Sequence, residues 1–285
     1  MVAFHRPVDL AEALRVRSDT AAIPLAGGTD LLVRHRNWAG TLPRIDKPVV
    51  YVGHLQELRR IDISGNGSGP QMTIGAAVTY SELLDHPTTP QLLRDSIIEL
   101  AAPGLRNVAT LAGNICNASP AADAACALYA LDAEVELAAP TGRRRLPIAE
   151  FITGPGRTVL KDDELVTAIY LPPDNSTVKY YKKVGTRRAN ALSKLSLCAC
   201  ARIVDRTVTE IGIAIGAVAP TIVRNRDIEQ HLQNTAPEQL ALRIPQTLQQ
   251  YAELIRPIDD QRSTAEYRKH TALALIEQFL AHELR

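Results

Sequence analysis

Asn107 to Asp123 reads NVATLAGNICNASPAAD, a run of small, flexible and hydrogen-bonding residues that ends on a carboxylate. Such a run makes poor core. It suits a backbone that must approach a ligand closely, because glycine permits main-chain conformations and contacts that a Cβ forbids. Successive N–H groups in such turns also form concavities that bind anions. Leu25 to Leu31, LAGGTDL, has the same character where a strand gives way to a helix. Main-chain N–H groups at junctions of this kind hold phosphate groups. Two junctions in one chain point to a large phosphate-bearing organic cofactor.

Other chemistries find less support. Neither glycine turn has the GxGxxG spacing, and neither carries the Lys-Ser/Thr of a P-loop. The seven histidines are scattered without HxxxH or HxH spacing, so metal ligation has no framework. Cys116, Cys126, Cys198 and Cys200 contain no CxxC, which favours small buried thiols over an iron–sulfur or zinc site. There is no Gly-x-Ser-x-Gly elbow. Asp123 reads either as a helix cap or as a carboxylate accepting from a ligand. Thr110 is either a strand residue or a hydroxyl donor to phosphate. The basic stretch YYKKVGTRRANALSK is either a solvated face or positive charge beside an anionic cofactor, with Lys183 and Arg187 as its candidates.

The elements that must position these residues follow from the hydrophobic pattern. Asp9 caps a first helix with Leu10, Ala13 and Leu14 on one side. AAIPLA is a strand ending at Gly27-Gly28, and Thr29 or Asp30 caps the short helix after it. PVVYVG closes a small α/β unit near residue 55. Arg60–Ile63 and QMTIGA form strands across the turn SGNGSGP, and Thr79-x-x-Glu82 has the pattern of a capping box. A helix over 90–102 leads to the second motif. AEVELAA and RRRLPI form a hairpin, FITGPGRTVL a loop and ELVTAIYLP a strand. Pro172-Pro173 and PDNST mark a domain boundary. Beyond it, Leu195, Leu197, Ala199, Ala201 and Ile203 alternate on one face and Ile211, Ile213 and Ile215 on another. The final helix starts at Ser263-x-x-Glu266. The whole is an α+β chain ending in an antiparallel sheet backed by helices.

The chain has 285 residues, 46% hydrophobic and 22% charged, as in ordinary globular proteins. A net charge of +1 and only 4% aromatics argue against a nucleic-acid partner. No signal peptide and no membrane-spanning run is visible, so the expected location is cytoplasmic.

At LAGGTDLL, NVATLAGNICNASPAAD, FITGPGRTVL and KKVGTRRANALSK the sequence resembles the FAD-binding medium subunits of bacterial molybdenum hydroxylases, in particular the xanthine dehydrogenase type. The resemblance covers nearly the whole chain. It implies a vanillyl-alcohol-oxidase-type fold with FAD-binding subdomains at 1–55 and 56–173 and a C-terminal domain at 177–285. It also implies that Leu25, Ala26, Gly27, Gly28, Thr29, Asp30 and Leu31 wrap the pyrophosphate with main-chain N–H groups. Thr110, Leu111, Ala112, Gly113 and Asn114 form a second phosphate-facing turn in this reading. Asp123 binds the adenosine ribose, Ala101 packs against the cofactor, and Val166 and Lys183 line the isoalloxazine. Ala112 departs from the family's Gly-Gly-Asn and restricts the backbone there to negative φ. Some relatives carry a four-iron cluster on a cysteine-rich insertion, which this sequence lacks.

The function implied is electron relay in a heterotrimer. A large subunit with a molybdenum cofactor hydroxylates the substrate, and a two-iron–two-sulfur small subunit passes electrons to the FAD. NAD⁺ or another acceptor then takes them, and the resemblance to the xanthine dehydrogenase type implies a place in purine metabolism. The alternatives are a stand-alone flavin oxidase and a cofactor-free assembly subunit. The resemblance further implies that replacing Asp123 by Asn weakens FAD binding and leaves the flavin-free protein as stable as before.

Overall fold

The computed structural model describes residues 2–66, 69–187 and 190–284. The chain divides into two compact units, the first made of Met1–Thr88, Ala102–Ala118 and Ala133–Pro173. The second is made of Thr89–Ala101, Ser119–Asp132 and Asp174–Arg285.

In the first unit, β1 (Phe4–His5), β2 (Ile23–Leu25) and β3 (Val49–Tyr51) form a parallel sheet in the order β1-β3-β2. The helix Leu10–Thr20 joins β1 to β2, and Asp9 caps it as expected by accepting from the Glu12 N–H at 2.7 Å. Its inner face also buries Arg17, whose guanidinium donates to the carbonyls of Ala22, Lys161 and Glu164. LAGGTD leaves the end of β2 and leads into the short helix Leu31–Arg34. Asp30 stands at the cap position there, without a side-chain capping bond.

A five-stranded antiparallel sheet follows, built from β4 (Ile61–Asn66), β5 (Gly69–Gly75), β6 (Glu134–Ala139), β7 (Gly142–Pro147) and, after a small hairpin, β10 (Leu165–Leu171). Its order is β4-β5-β10-β6-β7. The hairpin, β8 (Ile152–Gly154) with β9 (Arg157–Thr158), occupies the stretch FITGPGRTVL, which the sequence presents as a loop. Gly67 and Ser68 of the SGNGSGP turn lie outside the described residues. The capping box forms: Thr79 accepts from the Glu82 N–H while the Glu82 carboxylate accepts from the Thr79 N–H.

The second motif is not the open turn that its composition suggests. Leu111–Asn117 is a helix, stopped by Ala118 in the left-handed conformation. Leu111, Ala112 and Ile115 bury one side of it, and that burial outweighs the poor helix propensity of Gly113 and Asn114. Ala112 therefore has the backbone that alanine favours, and no glycine is needed at its place.

The second unit is organised around β11 (Val178–Gly185), β12 (Ser193–Val204) and β13 (Thr207–Gly216), antiparallel in that order. Leu195, Leu197, Ala199, Ala201, Ile211, Ile213 and Ile215 enter one core with Tyr251, Ile276 and Phe279 of the C-terminal helices. Ile203 packs at the edge of this core. The opposite face, with Ser196, Cys198 and Cys200, is covered too. The helices Gln91–Ile98 and Asp123–Ala130 lie over it. Every residue of Asp123–Ala130 is buried, as a helix apolar on all sides must be. The sheet expected to be backed by C-terminal helices is thus covered on both faces, the second layer coming from ahead of the Pro172-Pro173 boundary. The last long helix, Ala265–Gln278, is capped by Thr264, one residue later than expected, because the Ser263 main chain pairs with Asp260.

Candidate cofactor site

In the first unit the two glycine-bearing motifs meet. A Cβ on Gly27 would lie 1.8 Å from the Val108 carbonyl oxygen, so only glycine lets LAGGTD pack against the lead-in to Thr110. Gly28 has φ +73°, a left-handed conformation that glycine adopts without strain. Among the described residues, no protein acceptor pairs with the N–H groups of Ala26, Gly27, Gly28, Thr29 or Asp30. A half-buried backbone must satisfy its donors somewhere. Thr110 caps the helix Leu111–Asn117 by accepting from the Gly113 N–H at 3.0 Å, which leaves its hydroxyl proton for another acceptor. Asn114 Oδ1 is buried with no partner among the described residues. Leu25 ends β2, while Leu111 and Ala112 are buried behind the second motif. Val166 is buried in β10, beside a register shift between Val166 and Ala168. Main-chain donors left over at a glycine turn, a free hydroxyl proton and an orphaned amide oxygen fit the pyrophosphate and sugar hydroxyls of a dinucleotide.

In the second unit Ala101 has φ +52°, a conformation costing a non-glycine residue about 1–2 kcal/mol. Strain of this kind marks a backbone fixed by its surroundings. Asp123 is not a helix cap. The cap position belongs to Ala122, and Asp123 is the first helical residue, 4% exposed. Its Oδ1 accepts from Ser193 Oγ at 2.6 Å, and its Oδ2 pairs with Lys183 Nζ at 2.8 Å. Lys183 Nζ donates as well to the Glu99 carbonyl at 2.9 Å. Of the basic stretch, Lys182 is exposed, Lys183 has a side chain only 6% exposed, and Arg187 folds back onto the Asn190 carbonyl. Arg188 and Ala189 lie outside the described residues.

Tyr181 shares the Lys183 face of β11, and its hydroxyl is buried without a partner among the described residues. Burial, and then the Asp123 carboxylate, hold that hydroxyl far above the ordinary phenol range. The cysteines are free thiols; burial pushes Cys116 up to about 12 and raises Cys198 and Cys200 as well. Cys126, Cys198 and Cys200 are buried. Ser193 and the Glu99 carbonyl escaped the sequence reading. Ser193 opens a strand of alternating apolar residues, and nothing in a linear pattern ties it to Asp123.

Residues 1–174 match the FAD binding domain in molybdopterin dehydrogenase, and residues 179–282 match the CO dehydrogenase flavoprotein C-terminal domain. The xanthine dehydrogenase FAD-binding subunit of Escherichia coli O157:H7 is 33% identical over 290 residues, spanning 98% of this chain and 94% of the relative. The carbon monoxide dehydrogenase medium chain of Hydrogenophaga pseudoflava is 26% identical over 285 residues, 97% of this chain and 95% of the relative. Among solved structures, reconstituted CO dehydrogenase from Oligotropha carboxidovorans superimposes with a TM-score of 0.86 at 23% identity, covering 100% of this chain and 98% of that one. The family matches define a flavoprotein. The chain belongs to the family of FAD-binding medium subunits of molybdenum hydroxylases, and its cofactor is FAD.

Proposed function

We propose that the chain is the FAD-binding electron-transfer subunit of a xanthine dehydrogenase-type hydroxylase. In this reading it works in a cytoplasmic heterotrimer with a molybdenum large subunit and a two-iron–two-sulfur small subunit, in purine metabolism. The observation that carries it is the 33% identity with a xanthine dehydrogenase FAD-binding subunit over 98% of the chain, against 26% for a carbon monoxide dehydrogenase medium chain. Residues 1–55 and 56–173 act as the FAD-holding subdomains, and 177–285 as the C-terminal domain. Ala26 to Asp30 donate main-chain hydrogen bonds to the pyrophosphate, flanked by Leu25 and Leu31. The Thr110 hydroxyl would donate a hydrogen bond to a phosphate oxygen, and the Asn114 amide would serve the same end of the cofactor. By resemblance, Val166 and Lys183 would each line the isoalloxazine, Ala101 would pack against the cofactor, and Asp123, which also pairs with Lys183, would serve the adenosine ribose.

Flavin supplies the capacity to take up and release electrons one or two at a time; the protein supplies binding, orientation and electrostatics. A buried cation at the flavin side favours any negative charge that reduction develops there. NAD⁺ or another acceptor takes the electrons in this reading. Co-expression with the two partner subunits tests it: the purified complex should contain molybdenum, iron and FAD and should reduce NAD⁺ with xanthine. Hydroxylation of a different heterocycle with no turnover of xanthine would overturn the substrate assignment. Full activity of this chain without molybdenum would overturn the relay itself.

A further inference from the structure

The β11–β12 ladder pairs Lys183 with Ser196 and Val184 with Leu195, then slips so that Gly185 faces Ser193 instead of Lys194. Side chains alternate faces along a strand, so in an unbroken register Ser193 would share the core face of Leu195 and Leu197. The slip turns it to the Lys183 face. Bulges re-aim side chains in this way and recur beside functional sites. Ser193 is 1% exposed, and its hydroxyl donates to Asp123 Oδ1 at 2.6 Å. The other Asp123 oxygen holds Lys183, whose second partner is the carbonyl of Glu99 at the end of the helix Gln91–Ile98. An ammonium has three donors. Among the described residues two are engaged, by Asp123 and the Glu99 carbonyl, and one is left.

We propose that Ser193 is a positioning residue for FAD binding: through Asp123 it fixes the Lys183 ammonium so that its remaining N–H serves the cofactor. The proposal rests on the reading of Lys183 as a flavin-side residue. With its Oδ1 anchored, the carboxylate cannot swing about χ2, and the ammonium keeps one orientation. Without the hydroxyl both can turn, and the cofactor must order them when it binds.

The test compares Ser193→Thr, Ser193→Val and Ser193→Ala in the full chain, with Lys183→Met as a control. The readouts are FAD dissociation constant, the visible spectrum of the bound flavin, and melting temperature of the flavin-free protein. Thr and Val are nearly isosteric, so their difference isolates the hydroxyl. Val and Ala should raise the dissociation constant on the order of 10-fold, the scale of one hydrogen bond to a charged group, and shift the flavin spectrum, while Thr stays close to the parent. Lower melting temperatures with unchanged affinity and spectrum would make Ser193 a fold residue only and overturn the proposal. If Lys183→Met also changes neither affinity nor spectrum, the flavin-side reading of Lys183 fails with it. If Lys183→Met changes them and Ser193→Val does not, only the positioning role fails. Should Val and Ala not fold, Ser193→Cys, a weaker donor, replaces them with the same outcomes.

Discussion

Asp123 and Lys183 are each about 5% exposed at the side chain, and such pairs behave differently from surface ion pairs. Removing one partner of a buried pair leaves a charge without compensation and costs about 3–5 kcal/mol. Asp123→Asn should therefore destabilise the flavin-free chain by that order, contrary to the near-neutral effect that the sequence implies. Adding Lys183→Met should recover a large part of the loss. Urea unfolding of the two single variants and the double variant checks this, and simple additivity would contradict the coupling. Gly27 and Gly28 look alike in sequence and differ in space. Ala at 27 drives a Cβ into the Val108 carbonyl, whereas Ala at 28 meets flexible Leu25 and Leu32 side chains and pays about 1–2 kcal/mol for its φ. Gly27→Ala should lose more apo stability and more FAD affinity than Gly28→Ala; the reverse order in paired titrations would refute the close-packing account. The tight packing at Gly27 and the left-handed turn at Gly28 were legible because glycine in such a run is informative. Ser193 was not, because a one-residue slip decides which face it serves.

At the level of elements, capping chemistry was readable wherever side chain and position agree, as at Asp9 and Thr79. Thr79→Ala should cost about 0.5–2 kcal/mol, with Thr79→Ser close to neutral in thermal melts. The start of Ala265–Gln278 was misplaced by one residue, because Asp260 organises the turn ahead of it. Asp260 accepts from the buried Arg268 and from Arg262, and these contacts hold its carboxyl well below the usual carboxylate range. Glu164 is lowered as well, first by its hydrogen bond from Arg144. A depressed folded pKa stabilises the fold above the unfolded value of about 4. That contribution disappears as pH falls through the folded value. The urea midpoint should therefore drop on acidification below about pH 4, and Asp260→Asn should flatten part of that drop. An Asp260→Asn profile parallel to the parent would remove Asp260 from the account. The helix Leu111–Asn117 was illegible for a different reason: its stability comes from the buried Leu111, Ala112 and Ile115, while Gly113 and Asn114 argue locally against it.

At the scale of the molecule, the alternation in β12 and β13 and the break at Pro172-Pro173 gave the C-terminal sheet and one of its two covers. The other cover was hidden, since no local pattern says that Asp123–Ala130 packs on strands some 70 residues later. The two glycine-bearing motifs predict that heat-released cofactor is the dinucleotide; recovery of FMN alone at full occupancy would contradict a pyrophosphate site. The isolated chain should not hydroxylate xanthine, and a partner-free, molybdenum-free preparation that does so would break the family reading.

Three separate lengths of chain build the second unit, and that fixes an order of events on the ribosome. Asp123–Ala130, buried on every side once folded, emerges before any strand it must cover. At roughly 5–20 residues per second it waits on the order of ten seconds for β13 to follow. A greasy segment left waiting that long is a natural client for a holding chaperone. A fragment beginning at Asp174 would have the opposite defect, a finished sheet with one bare face. Cutting the gene where the two family domains divide should yield inclusion bodies from the downstream half, and adding 89–101 and 119–132, with a polar linker in place of 102–118, should restore soluble protein.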